Sequence, residues 1–456
     1  MITFDRSKPP APGKPRPFTF PDYIKTKVCG EIPLYIIQNN FVPLASVQLV
    51  FRSGSNCEGD KAGLANFTSE LLLSGTKNRD TVQLAEEIDY LGSRLESYCG
   101  RDEITISLGI LSKFLEKGIE LMSDIAINPI FPIEEIDRER KHAISAIVQN
   151  QADASYLSAI QFKKEIFGAT PYGREITGTK DSLNNLTIDD CINFHKNNFT
   201  SDNAFFIAAG DITEDSIKSL LEKYFSNWVS KKVEVVKNFD FPIKHKSNKV
   251  TLIHRPKSVQ SSLRIGKRSI ERNNPDYLPL TILNTLFGGY FNSRLNINLR
   301  EKNGYTYGVR SSLESNNSIG SFYIGSQVRL DITSNAIQEC FNELNLINEV
   351  LIPSEELNIV KNYLIGSQAL QLETSEQVAS FVRAISIYNL DDDYYKNLAS
   401  LIRQISSEQL KELSNKYLFN TGYDIIVCGD ATKIKDSLIQ FGELKIINQK
   451  GELIEI

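Results

Sequence analysis

No run of apolar residues in this chain approaches the ~20 needed to cross a bilayer as a helix, so no membrane-spanning helix is expected. No Cys-x-x-C occurs among the six cysteines (Cys29, Cys57, Cys99, Cys191, Cys340, Cys428). That excludes a zinc ribbon and a thioredoxin-like motif, and the wide scatter fits reduced thiols. The four histidines (His142, His195, His245, His254) form no His-x-x-Glu-His, His-x-x-Glu or His-x-His cluster. Positive charge is not in excess: the net charge is −5 and the pI near 5.7. The chain therefore lacks the electrostatic footprint of a nucleic-acid or anionic-membrane binder. Gly288-Gly289 is not followed by the Lys-Ser/Thr of a phosphate-binding loop. The start lacks the basic-then-apolar pattern of a secretory signal. The expected compartment for the chain as numbered is the cytoplasm, or the periplasm if a signal has been removed.

What is present is an ordinary globular composition, 41% apolar and 23% charged. At 456 residues the chain is too long for one core and suits two domains or more. Six prolines between Pro9 and Pro21 bar a helix and predict an extended arm. Phe18 and Phe20, interleaved with them, point to packing on the body or on a partner.

The chain repeats itself. LTIDDCINFHKNNFTSDNAFFIAAGDIT (residues 186–213) and ISSEQLKELSNKYLFNTGYDIIVCGDAT (residues 405–432) both read as a capped helix, a turn, an apolar strand and Gly-Asp-x-Thr. GSRLESY (92–98) likewise pairs with NSRLNIN (292–298). Each half has the same coarse order. Residues 45–51 alternate as a strand with Val47, Leu49 and Phe51 on one face. Helices are predicted over 63–73 and over 81–91, the latter opened by Thr81. A strand pair follows, then a helical pattern over 111–127 and long helices over 133–161. The predicted class is α+β: two homologous domains, each an antiparallel sheet with helices on one face, closing like a clamshell around a cavity. The joint is expected near 229–249, which is polar and Lys-rich.

Residues 59–76, GDKAGLANFTSELLLSGT, carry the most specific pattern. The frame Ala-Gly-Leu-Ala-x-Phe, then apolar residues, then Gly-Thr, resembles the zinc helix of the insulinase/pitrilysin/mitochondrial-processing-peptidase family. In that family the frame holds His-x-x-Glu-His, in which both histidines bind zinc and the Glu activates water. Here the three positions are Asn66, Ser69 and Glu70. The family's third ligand, a Glu in a segment like E-R-x-x-v-l-x-E, matches Ala146 in residues 139–147. Alanine offers no donor atom, serine is no base at neutral pH, and asparagine is a weak neutral donor. A catalytic zinc needs about three protein ligands and a water, so the first half is read as zinc-free and the chain as not an active peptidase alone.

The second half keeps more. LNTLFGGYFNSRLNINLREKNGYTYGVRSSL (283–313) resembles the family segment in which an Arg and a Tyr, seven residues apart, face the zinc across the internal chamber. Residue by residue these are Arg300 and Tyr307. A guanidinium forks onto a substrate carbonyl or carboxylate, and a phenol can donate to a developing oxyanion. The competing structural reading pairs Arg300 with Glu301 or a sheet-edge carboxylate and buries Tyr307. The resemblance implies a proline-rich arm (1–21), a first peptidase-like domain with a degenerate zinc motif (22–235), a linker (236–248) and a second domain with the clamp (249–456). It further implies a heterodimeric zinc metalloendopeptidase, as in the family's bacterial two-chain members. This chain would supply Arg300 and Tyr307 opposite a zinc held by a homologous partner chain, with a peptide as substrate. Homodimer is an alternative state of the isolated chain, and a non-proteolytic scaffold or peptide-binding protein is the alternative function.

The purified chain is expected to hold no stoichiometric zinc after mild dialysis and to cleave no peptide alone. Metal analysis checks this. One tightly held zinc per chain, lost in Glu70→Gln, contradicts it.

Overall fold

A computed structural model describes residues 18–231, 233, 239–243 and 245–456. Most of the expected arm, and residues 236–238 and 244 of the expected linker, lie outside the described residues. The first six-stranded sheet comprises β1 (Ile24–Val28), β2 (Ile32–Gln38), β3 (Leu44–Phe51), β4 (Arg94–Cys99), β5 (Ile104–Leu111) and β6 (Ala204–Gly210), ordered β1-β2-β6-β3-β5-β4. The second comprises β7 (Lys249–His254), β8 (Gln260–Ser269), β9 (Val309–Ser315), β10 (Gly320–Arg329), β11 (Asp424–Gly429) and β12 (Glu443–Ile447), ordered β12-β7-β11-β8-β10-β9. The repeat is thus two sheets of one design. Their outermost strands β1 and β12 come from opposite ends of the chain.

Two details differ from the sequence expectation. The sheets are mixed: β2 runs parallel to β6, and β7 runs parallel to both β11 and β12. Helices also cover both faces of each sheet, not one. On the inner face of the first sheet, Val47, Leu49 and Phe51 pack with Leu64 and Phe67 of the helix Leu64–Leu71 and with Ile119 and Met122 of the helix Leu115–Ile127. On its outer face, Tyr35, Val50, Phe205 and Ile207 meet Val382 and Ile385 of the helix Ser375–Tyr388, which belongs to the second half. The reverse exchange covers the second sheet. The helix Ala154–Phe167 of the first half lays Leu157, Phe162 and Ile166 against Ile253, Ile426 and Cys428. This explains why β6 and β11 are buried along their whole length, and why β6, and β11 after its opening Asp424, are apolar runs.

Local signals set the ends of these elements. Thr187 and Ser406, at matching places in the repeat, each cap a helix by accepting a backbone N–H, from Asp190 and Gln409. The helix predicted to open at Thr81 is capped by Asp80 in a reciprocal box with Gln83, while the Thr81 hydroxyl donates to the Ser74 carbonyl. The long helical pattern over 133–161 breaks at Asp153, which caps the helix Ala154–Phe167 and turns it toward the other sheet. At Gly210 the backbone has φ +113°, and a Cβ would lie 2.2 Å from the Leu44 carbonyl oxygen, so only glycine fits the close of β6.

Polar contacts add to the exchange. Arg52 stacks 4.6 Å above the Phe205 ring and donates to the backbone and hydroxyl oxygens of Ser386 at 2.6 and 2.8 Å. Arg383 pairs with Glu103 at 3.2 Å. Buried Asp102 accepts from Asn56 (3.1 Å), from the Tyr172 hydroxyl (2.7 Å), and from the backbone N–H of Asn317 in the second half (2.8 Å). Phe20 is buried against Phe381 and Tyr395, so this end of the arm packs on the body, as expected. All six cysteines are free. Among the described residues no helix is long and apolar enough to cross a membrane.

Phe162→Ala is expected to cost about 3–5 kcal/mol, the usual range for a buried Phe. Hydrogen exchange should localise the loss of protection to β8 and β11. Loss confined to the first sheet contradicts the exchange.

Candidate functional site

The motif helix Leu64–Leu71 starts from Gly63, whose φ is +90° and whose missing Cβ leaves room for Gly178 at 2.9 Å. Its N-terminus is held by Glu58, whose Oε2 accepts from the N–H groups of Gly63 (3.1 Å) and Ala65 (3.4 Å). Along the helix, the Asn66 amide donates to Glu70 Oε1 at 3.0 Å. Ser69 is buried, and its hydroxyl lies 2.6 Å from that of Ser97 on the edge strand β4. Glu70 faces the helix Ile133–Asn150. Burial pushes its carboxyl up, the Asn66 hydrogen bond lowers it, Glu139 raises it and His142 lowers it. Ala146 lies exposed on the same helix. The sequence reading did not anticipate Glu139 and His142 as neighbours of Glu70. Their spacing of three along one helix was the available signal.

These side chains do not fit a zinc ion. Glu70 is the one ionisable donor among the four motif positions, Asn66 is spent on Glu70, Ser69 is spent on Ser97, and Ala146 ends in a methyl. Among the described residues no group of three or more His, Cys, Asp or Glu is arranged to hold a metal ion.

The second-half residues gather differently. The helix Tyr277–Asn284 runs on into a π-helical turn, Thr285–Gly289, and Arg300 sits on a second π-helical segment, Asn296–Lys302. Such widened turns recur at functional positions. The Arg300 guanidinium lies 4.4 Å from the Phe291 ring centroid and 3.5 Å from Glu301. The Glu301 contact is open to water and holds Arg300 weakly. Tyr307 follows a turn at Gly304 (φ +62°) and is 96% exposed, so its phenol is not core. The turn is braced by the Thr306 hydroxyl, which lies 2.9 Å from the Gly308 carbonyl oxygen and 2.8 Å from that of Gln327. Arg300 and Tyr307 line one cleft of about 760 Å³, together with Arg264, Tyr290, Arg310 and Tyr323. The first half contributes Ser155, whose hydroxyl accepts from the Gln327 amide at 2.6 Å. The sequence reading named Arg300 and Tyr307 but missed Arg264. Its place on the outward face of β8, sharing that face with Ser262 and alternating with the core residues Leu263 and Ile265, was the signal that pointed to it.

Residues 34–180 match the family model described as Insulinase (Peptidase family M16), and residues 185–364 match Peptidase M16 inactive domain. The chain belongs to the M16 family. An uncharacterized zinc protease of Rickettsia felis is 27% identical over 68% of this chain and 74% of its own length. A Mycobacterium tuberculosis zinc protease, also uncharacterized, is 27% identical over 59% of this chain and 62% of its own. A Helicobacter pylori protein named non-peptidase homolog YmxG is 23% identical over 85% and 88%. Among solved structures, a peptidase M16 inactive domain from Pseudomonas fluorescens superposes with a TM-score of 0.83 at 23% identity, covering 90% of this chain and 98% of that one. A Helicobacter pylori protease gives the same TM-score at 18% identity, covering 90% and 99%. These structural likenesses establish the M16 two-domain fold for the chain.

The Glu58 anchor of the M16 motif helix makes stability depend on pH. Burial pushes its carboxyl up to about 7, while Arg174 and the two backbone donors pull it down. The folded state thus favours the protonated form relative to an unfolded glutamate. The contribution is fully present below the unfolded value of 4.5 and is lost as pH rises through 7. Asp424, pushed up to about 7 by burial and by Glu165, acts with the same sign. The melting temperature is therefore expected to fall from pH 5 to pH 8, and to fall less steeply in Glu58→Gln. An unchanged slope in that variant contradicts the assignment.

Proposed function

We propose that this M16 chain is the zinc-free subunit of a two-chain metalloendopeptidase. One contrast carries the reading: the four zinc-motif positions offer Glu70 as their one ionisable donor, too few for a zinc site, while Arg300 and Tyr307 line one cleft with Tyr307 exposed. In this reading a homologous partner chain supplies the zinc and its activated water. Arg300, whose guanidinium rests on the Phe291 ring and is paired with the solvent-open Glu301, binds and orients a peptide carbonyl. Tyr307 donates its hydroxyl proton to the oxyanion as it develops. A non-proteolytic scaffold is the second reading, and the name of the Helicobacter pylori relative, non-peptidase homolog, favours it.

Variants assayed in the reconstituted pair test the clamp, with melting temperature as the folding control. Tyr307→Phe removes one hydroxyl and is expected to lower kcat by about 10²–10³-fold. Arg300→Ala is expected to raise KM, with a smaller loss of kcat. Full activity in both, with the pair intact, favours the scaffold.

A further inference from the structure

Arg264 sits half-buried on β8, on the wall of the cleft that holds Arg300 and Tyr307. Its guanidinium lies 4.2 Å from the Tyr323 ring centroid, stacked as a cation on a π face. Among the described residues it makes no hydrogen bond and no ion pair, and its buried Nε has no acceptor. A half-buried guanidinium with its donor edge unused is costly unless something supplies acceptors. Stacking occupies the face of the cation and leaves the N–H edge directed elsewhere.

The first half provides an internal comparison. In the two sheets, β6 and β11 end at the equivalent glycines Gly210 and Gly429. Ala208 opposes Val47, and Val427 opposes Leu263. The register therefore makes Gln48 the counterpart of Arg264. Gln48 is a buried neutral amide whose Oε1 lies 3.5 Å from Arg383, and Arg383 is neutralised by Glu103. The exchanged helix thus fills this position in the first half. In the second half the exchanged helix offers Ser155 and Ser158 near the same strand, and neither is an anion.

The surroundings of Arg264 have one sign. Arg264, Arg300 and Arg310 line the cleft, and none of its described lining residues is a carboxylate. Acids beside the cleft are engaged: Glu301 with Arg300, Glu356 with Arg294, and Glu314 accepting from the Tyr323 hydroxyl at 2.8 Å. This arrangement in a chain of net charge −5 is a local concentration of cations.

We infer that Arg264 determines specificity in this cleft, and that the cleft selects peptides presenting a carboxylate, as an acidic side chain or a free C-terminus. The inference rests on the proposed peptide-clamp role of the same site and adds the substrate class. Tyr323 holds the guanidinium flat, and its open N–H edge forks onto the two carboxylate oxygens. An amide offers one acceptor oxygen and no charge, so it binds less well there.

Fluorescence polarisation on the full-length chain tests this with three labelled nonapeptides of one sequence. The first carries two glutamates and a C-terminal amide, the second replaces both with glutamine, and the third is the glutamine peptide with a free C-terminal carboxylate. One of the two carboxylate peptides is expected to bind about tenfold more tightly than the neutral one, the margin of one charge-assisted hydrogen bond over a neutral one. Which one it is identifies the source of the carboxylate. The margin should shrink at 0.5 M salt, narrow to less than about threefold in Arg264→Gln, and stay partly in Arg264→Lys. Arg329→Gln, on a solvent-exposed pair with Asp331, should keep the full margin. Equal binding of all three peptides by the unmodified chain overturns the inference and leaves the clamp standing. Binding of none overturns both. A full margin retained in a folded Arg264→Gln removes Arg264 from the role.

Discussion

Each sheet of this protein is apolar on both faces, and neither half of the chain can cover both faces alone. That constraint shapes the rest of the structure. The helix Ser375–Tyr388 crosses to the first sheet, and the helix Ala154–Phe167 crosses to the second. Exposing the outer faces would leave Tyr35, Ile37, Val50, Phe205 and Ile207 of the first sheet and Ile253, Ile426 and Cys428 of the second in water, the kind of apolar patch that soluble monomers rarely expose. The halves are therefore bound by their cores as well as by a linker. The buried Asp102, tied to Asn56, Tyr172 and Asn317, reinforces the same junction. The exchange also brings a first-half residue, Ser155, to the wall of the second-half cleft.

The two halves, alike in strand order, have diverged in chemistry. In the first, the helix frame of an M16 zinc site remains, with its Gly63 turn and its Glu58 anchor, but the ligand positions now satisfy one another or their neighbours. A catalytic centre keeps donors unsatisfied until metal or substrate arrives, and this helix has none left over at Asn66 or Ser69. In the second half the polarity is reversed. Among the described residues Arg264 has no acceptor, Tyr307 projects into solvent, and Arg300 has an exposed contact to Glu301 and rests on Phe291. Unspent donors gather where a ligand would bind.

Much of this was legible in the residues. The Gly-Asp-x-Thr repeat announced two like halves because each marks the end of a buried strand. Val47, Leu49 and Phe51 alternated as a strand and do face the inner core. The segment around Arg300 and Tyr307 lines a single cleft, and Phe20 packs as its place among prolines implied. Other features were not legible. An apolar run such as β6 signals burial on both faces, but not which helix supplies the second cover. The parallel pairs β2–β6 and β7–β11 depend on long-range order that period-two alternation does not encode. The break at Asp153 looked like a continuing helix because the residues on either side are both good helix formers. Arg264 escaped notice because a lone Arg on a strand is common, and only the missing partner makes it informative.

The central claim is that this chain completes an active site whose zinc lies in another chain. A titration of peptidase activity tests it most directly. A fixed amount of a zinc-bearing M16 homologue from the same cell is mixed with increasing amounts of this chain, and cleavage of a fluorogenic peptide is followed. The account predicts activity that rises from near zero and reaches a plateau at one chain of each kind. Activity that is already full without this chain, or that stays flat at every ratio, contradicts it.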